Sequence, residues 1–153
     1  GLGYYSRARN IHRTAKIIRD DFSGKFPDAP ESLEALPGIG RSTAAAILSI
    51  AFDKHAAILD GNVKRVLARF HAIDGWPGES SINKKLWSHA EQHTPVKRTG
   101  AYTQAMMDLG ATVCTRSKPR CNDCPLRQHC IAYKDCAKTP PFWLESWRLL
   151  RNR

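Results

Sequence analysis

The sequence predicts an all-α protein, and three observations predict it. Apolar residues recur at steps of three and four in successive stretches, and no stretch of useful length alternates apolar with polar residues as a half-buried strand would. Glycine and proline fall between those stretches, at Ser23-Gly24, Pro37-Gly38 and Trp76-Pro77-Gly78, where helices end and chains turn. The chain has 153 residues, 42% hydrophobic and 25% charged, which suits one globular domain with a real core rather than a disordered segment.

The first helix carries an apolar stripe of Ala8, Ile11, Ala15, Ile18 and Phe22, with Arg7, Arg9, Arg13 and Lys16 on other faces. Ser23-Gly24 and Phe26-Pro27 end it. Pro30-Glu31-Ser32 opens a short helix reaching Leu36. Leu36-Pro37-Gly38-Ile39-Gly40 is a tight turn, followed by an Ala-rich helix over 42–52. Asp60-Gly61-Asn62 begins a helix bearing Val63, Val66, Leu67 and Phe70, and further helices are expected over 82–93 and 102–113. The second of these runs straight into Cys114. After Cys136 the pattern fades, and Pro140-Pro141 precedes a stretch, 142–150, that reads as a short helix or a frayed end. The expected organisation is a helical core over 1–113, a cysteine-rich loop region over 114–136 and a tail over 137–153.

Twenty-four basic residues against fourteen acidic ones leave a net charge of +10, which favours a polyanionic partner, nucleic acid first. No apolar run approaches the roughly 20 residues needed to cross a bilayer, and no secretory signal is seen. The expectation is a monomer without membrane contact, located in a bacterial cytoplasm with the nucleoid, or in a nucleus or mitochondrion. The chain starts at Gly1 without a methionine, and Gly1-Leu2-Gly3-Tyr4-Tyr5 reads like the inside of a domain, so a trimmed N-terminus is expected.

Cys114, Cys121, Cys124 and Cys130 stand at the spacing C-x6-C-x2-C-x5-C. In a chain of intracellular composition, thiolates this close are metal ligands before they are disulfide partners. Four complete the coordination of a cubane iron–sulfur cluster or of zinc, and spacing alone does not choose. The longer gaps differ from the paired C-x2-C knuckles of zinc ribbons.

The turn Pro37-Gly38-Ile39-Gly40, between two helices, allows close backbone approach to another molecule. The free N–H groups at the following helix start suit a phosphate. This is a helix–hairpin–helix pattern, a sequence-independent grip on DNA; the plainer reading is an ordinary turn. Eighteen residues after Ser42 comes Asp60, which as a lone residue reads first as an N-cap. The functional reading sets its carboxylate at the mouth of the hairpin's groove, oriented by Asn62. Lys64 and Arg65 read equally as phosphate contacts or as a solvated face.

Taken in order, the hairpin, Leu59-Asp60-Gly61-Asn62-Val63-Lys64-Arg65-Val66-Leu67, Gln104-Ala105-Met106-Met107-Asp108-Leu109-Gly110 and the four cysteines resemble the helix–hairpin–helix base-excision DNA glycosylases, nearest the adenine-removing branch. The resemblance runs from Gly1 to about Cys130. It implies a six-helix barrel module beside a smaller helical lobe, with DNA in the cleft between them. It also implies a four-iron–four-sulfur cluster on the four cysteines, of structural role, whose loop brings Arg116, Lys118 and Arg120 to phosphates. The partner it implies is double-stranded DNA carrying adenine opposite 8-oxoguanine or guanine. Asp60 is then the catalytic carboxylate, with Asn62 beside it. Tyr4 wedges beside the 8-oxoguanine, and Gln104 lines the adenine pocket. Strand-nicking relatives carry a lysine where Ser42 stands, so the serine implies hydrolysis of the N-glycosidic bond without strand cleavage.

Two features depart from the family. Its general acid is a glutamate on a helix upstream of the Gly1–Tyr5 segment, and Glu31, Glu34, Glu79 and Glu91 offer no basis for a substitute. Its C-terminal 8-oxoguanine recognition domain has no counterpart in 137–153. The chain as written is therefore expected to be an inactive fragment of an enzyme. The alternatives are a non-catalytic, cluster-bearing DNA-binding module, or a glycosylase acting on thymine or uracil opposite guanine.

Overall fold

Residues 5–136 are described by the computed structural model, and every regular element among them is helical. Tyr4 and the tail over 137–153 lie outside the described residues. The order is α1 (Tyr5–Asp21), α2 (Pro30–Glu34), α3 (Arg41–Ala51), α4 (Gly61–Phe70), α5 (Ser80–His93) and α6 (Thr99–Asp108). A wide π turn (Leu109–Val113) follows, then two short 3-10 turns (Cys121–Asp123 and Arg127–His129) and α7 (Ile131–Cys136).

Two clusters of buried side chains hold the helices. Ile58, Leu59, Val63, Val66, Leu67, Ile82, Leu86 and Met106 bind α4, α5 and α6 around the extended segment before α4. Ile18, Leu33, Leu36, Ala44 and Leu48 close α1 and α2 over α3. Helix α3 belongs to both, with Ala45 in the first cluster and Ala44 and Leu48 in the second. Neighbouring residues point about 100° apart around a helix, which lets α3 contribute to both clusters. The hairpin turn and the approach to Asp60 are therefore fixed to one rigid rod.

Local chemistry sets the ends. Pro30 opens α2, where its missing N–H costs nothing. Asp60 caps α4 by accepting from the Val63 N–H at 2.8 Å. Thr94 returns its hydroxyl to the Ala90 carbonyl at 2.7 Å as α5 stops.

Helix α1 buries its apolar stripe only in part. Its buried residues are Thr14 and Ile18, whereas Ile11 is 55% exposed and Ala15 is exposed too. The Thr14 hydroxyl donates to the Pro37 carbonyl at 3.1 Å, so a threonine on the same face as Ile11, Ala15 and Ile18 packs on the hairpin. Ile11 and Ala15 instead line an open groove of about 780 Å³ with Ile18, Phe26, Pro37 and Ile39. Helix α6 also differs from the expected 102–113. It begins at Thr99, and its last turn widens at Leu109–Val113.

Close packing accompanies that widening. A Cβ on Gly110 would fall 2.6 Å from the Asn62 Cβ and 2.9 Å from the Asn62 carbonyl oxygen, so the start of α4 lies directly on the glycine. Gly110→Ala is expected to cost about 1–3 kcal/mol through overpacking. Urea denaturation followed by circular dichroism checks this, and unchanged stability would show that the two segments part easily.

Candidate functional site

Helix α4 carries a carboxylate at one end and faces four cysteines at the other. At its N-terminus Asp60 is half-buried, with Oδ1 bound to the Val63 N–H and the positive end of the helix dipole before it. The segment that delivers Asp60 is braced from both sides. Ile58 and Leu59 are each 3% exposed, and the Leu59 N–H donates to Ser42 Oγ at 3.0 Å. Ser42 thus ties the first turn of α3 to the residue before the carboxylate.

The hairpin stands at the same end of α3. Gly38 has φ +81°, a left-handed conformation open to glycine, and a Cβ there would also meet the Asn10 amide nitrogen at 2.8 Å. Gly40 is extended before α3, and among the described residues no side chain caps the first turn of that helix. Its leading N–H groups thus remain available to an anion. Gly38 and Gly40 are exposed, while Pro37 and Ile39 are half-buried. Arg41, next in line, is engaged with Glu91 at 2.8 Å and lies 3.8 Å over the Trp87 ring.

Two predicted contacts take different roles. Arg65 was a candidate for phosphate, yet its guanidinium is spent inside the fold. It donates to the Cys114 carbonyl at 2.7 Å, the Gly110 carbonyl at 2.6 Å, Asn62 Oδ1 at 2.7 Å and the Gly61 carbonyl at 3.3 Å. Burial lowers its pKa from the usual arginine value, with Cys114 opposing the shift. Asn62, expected to orient the Asp60 carboxylate, instead accepts from Arg65 and so acts one residue-layer back. Lys64 is half-buried, and its backbone N–H closes the first turn on the Asp60 carbonyl at 2.8 Å.

At the other end of α4, Arg69 is 5% exposed and donates to three successive carbonyls. These are Cys114 at 3.4 Å, Thr115 at 2.8 Å and Arg116 at 3.2 Å, with the Cys114 sulfur at 3.3 Å. The Cys130 thiol points back at the Arg69 carbonyl, 3.6 Å away. Sequence reasoning missed Arg69, although an arginine inside the apolar run Val66-Leu67-Ala68-Arg69-Phe70 was the available signal. All four cysteines are unpaired and half-buried. They line one cavity of about 240 Å³ with Arg69, Val113, Pro119, Arg127, Ala132 and Tyr133. Burial, then neighbouring cysteines, raise the Cys121 thiol pKa; burial chiefly raises that of Cys130.

The loop over the cavity presents exposed Arg116, Lys118 and Arg120. Arg120 is partly occupied, donating to the Thr112 carbonyl at 3.1 Å. Gln104 is exposed on α6 and bonded to Asp108 at 2.9 Å. Glu91 is held by Arg41, and Glu79 accepts from the Ser81 hydroxyl at 2.5 Å; neither bond reaches Asp60.

A glycine hairpin, a braced carboxylate at a helix N-terminus and a cysteine-lined cavity stand on a frame that is helical throughout the described residues. Residues 1–92 match the HhH-GPD superfamily base excision DNA repair protein family, and the chain belongs to that family. It is 53% identical over 135 residues to the adenine DNA glycosylase of Buchnera aphidicola (from Schizaphis graminum), covering 88% of this chain and 39% of that protein. The chain thus spans about two fifths of the length of that relative. A thermostable thymine-DNA glycosylase superposes with a TM-score of 0.73 at 31% identity, over 85% of this chain and 59% of that one. Endonuclease III in a non-covalent DNA complex superposes with a TM-score of 0.67 at 28% identity, over 88% and 61%.

Arg69 is the residue on which the cysteine loop depends. Arg69→Gln removes donors from up to three carbonyls and is expected to cost more than about 3 kcal/mol, since bonds from charged groups are worth about 1.5–3 each. Urea unfolding of both proteins checks it; a loss under about 1 kcal/mol would show that the loop holds itself.

Proposed function

We propose that this chain is the DNA-gripping, sugar-stabilising part of a base-excision glycosylase that removes adenine mispaired with 8-oxoguanine or guanine. The reading rests on one observation above the others: Asp60 is held at the N-terminus of α4, braced through Leu59 by Ser42, beside the hairpin. The similarity to named adenine DNA glycosylases supports the choice of base. Phosphates of one strand sit against the hairpin backbone and the uncapped first turn of α3. Arg116, Lys118 and Arg120 meet the backbone from the cysteine loop, and Tyr4 contacts the opposing 8-oxoguanine. Gln104 faces the extruded adenine.

The target base leaves the duplex before reaction, at a cost of a few kcal/mol that a mispair reduces. As the bond from C1′ to the base breaks, positive charge grows on the sugar, and the Asp60 carboxylate stabilises it. Water then adds at C1′, leaving an abasic site. Ser42 holds the Asp60 segment and carries no amine, so no Schiff base forms and the strand stays intact. The departing adenine takes its proton from a separate acid. Glu79 and Glu91 are committed to Ser81 and Arg41, and neither is assigned that role. Residues 1–153 alone are therefore expected to bind duplex DNA without releasing base.

The four cysteines are assigned to a four-iron–four-sulfur cluster, and their arrangement fits one. The four cysteine residues line one cavity of about 240 Å³ and none is disulfide-bonded. When bound, the cluster supplies four metal–thiolate bonds that lock the basic loop; it takes no part in breaking the glycosidic bond. Iron and acid-labile sulfide measured on anaerobically prepared protein are expected near four of each per chain. Stoichiometric zinc without sulfide overturns the assignment.

A second reading, removal of thymine or uracil opposite guanine, is favoured by the likeness to a thymine-DNA glycosylase. Base release from duplexes containing A:8-oxoguanine, A:G, T:G and U:G separates the two. The assay uses the chain expressed with whatever its reading frame supplies on either side. Adenine release alone is expected, with no borohydride-trapped complex. Asp60→Asn should lower the rate by about a hundredfold or more while DNA binding persists. Near-normal turnover by that variant overturns the role of Asp60.

A further inference from the structure

Helices α4 and α5 end side by side, and three imidazoles meet there. His71 follows α4 as its C-cap, and His89 and His93 stand one turn apart on α5, on the same face. One ligand nitrogen from each lies within 4.8 Å of the others. His71 Nε2 and His93 Nε2 are 2.8 Å apart, and the His71 ring stacks on His89 at 3.7 Å and 17°. Phe70 presses its edge on His71 and His93, with centroids 5.0 and 5.9 Å away. His89 Nδ1 is buried and meets no hydrogen-bond partner among the described residues.

As plain packing this is a poor arrangement. It half-buries two imidazoles, leaves one ring nitrogen unsatisfied and aims two others at each other with room for one proton between them. Burial, then His89 and His93, bring the His71 pKa down to about 4, so its lone pair is free at neutral pH. The site also lies where the C-terminal ends of two helices converge, and both dipoles favour a cation there.

We propose that His71, His89 and His93 bind one divalent transition-metal ion of the zinc, nickel or copper kind, with water completing its coordination. Three neutral nitrogens suit these ions, whereas calcium and magnesium seek oxygen. With metal–nitrogen bonds of about 2.0–2.1 Å, tetrahedral ligand nitrogens stand about 3.3 Å apart. The 2.8 Å contact between His71 and His93 therefore opens by about half an ångström, which rotation of exposed His93 supplies. The proton held between those nitrogens passes through water to the Nδ1 of the ring that carried it, so both imidazoles stay neutral and both Nε2 lone pairs face the ion. It then clamps α4 to α5 two residues beyond Arg69, independently of whether the chain acts on adenine.

Zinc chloride titrated into the full chain, labelled in its six histidine rings, tests the proposal by NMR. Signals of three rings are expected to shift together and to saturate at one ion; substitutions at each position assign them. Zinc taken up by the cysteines leaves this ring pattern unmoved, so the two sites are read separately. Exposed His93→Gln, which does not threaten folding, should weaken the effect by more than about tenfold, since even outer-shell partners of a metal are worth that much. His89→Gln should do the same. Rings unmoved at millimolar zinc, or the same shifts of His71 and His89 in His93→Gln, overturn the proposal.

Discussion

Two arginines one turn apart on a single helix hold the functional parts of this chain together. Arg65 and Arg69 reach from α4 to the backbone carbonyls of Gly110, Cys114, Thr115 and Arg116. Carbonyls at the end of a helix and in an irregular loop need donors once they are buried. A guanidinium supplies five in a rigid plane, which a lysine does not. The wide turn at Leu109–Val113 and the loop after it are thus held by side chains from another element as well as by their own hydrogen bonds. Removing α4 from this arrangement would leave both the cysteine cavity and the Asp60 end without support.

The same helix explains how one frame serves two remote tasks. Ten residues of α4 separate Asp60 from the cysteine end, about 15 Å at the usual rise. Its buried face, from Val63 to Arg69, makes it a strut rather than a surface helix. At the Asp60 end, α3 adds the second brace through Ser42 and also carries the hairpin. The relative position of backbone grip and carboxylate is set by two short rods and the 3.0 Å bond between Ser42 and Leu59. Rigid elements are what a carboxylate needs when it must stabilise charge only at the transition state. The apolar groove beside α1 belongs to the less buried side of the frame, where Ile11 and Phe26 remain half or more exposed.

The helices were legible because their periodicity is strong and their boundaries carry glycine, proline or aspartate. The hairpin, the Asp60 cap and the cysteine set were also legible, since each depends on residue types at short spacings. Other features were not. The stripe on α1 lies on one face as read, but periodicity did not show that Ile18 would be buried while Ile11 and Ala15 face an open groove. Arg65 looked like any basic residue on a helix. Its role depends on carbonyls 45 and 49 positions away in the chain.

What the sequence determined by itself was the helical class, the hairpin, the candidate carboxylate and the identity of the four thiols. These follow from local spacing, which the backbone geometry of a helix or turn converts directly into position. The tertiary structure alone decided which arginines are structural, why Gly110 has no room for a side chain, and that His71 meets His89 and His93. Those facts arise where α4 crosses α5 and the end of α6. Contacts there are set by how whole helices pack, and no run of neighbouring residues encodes them.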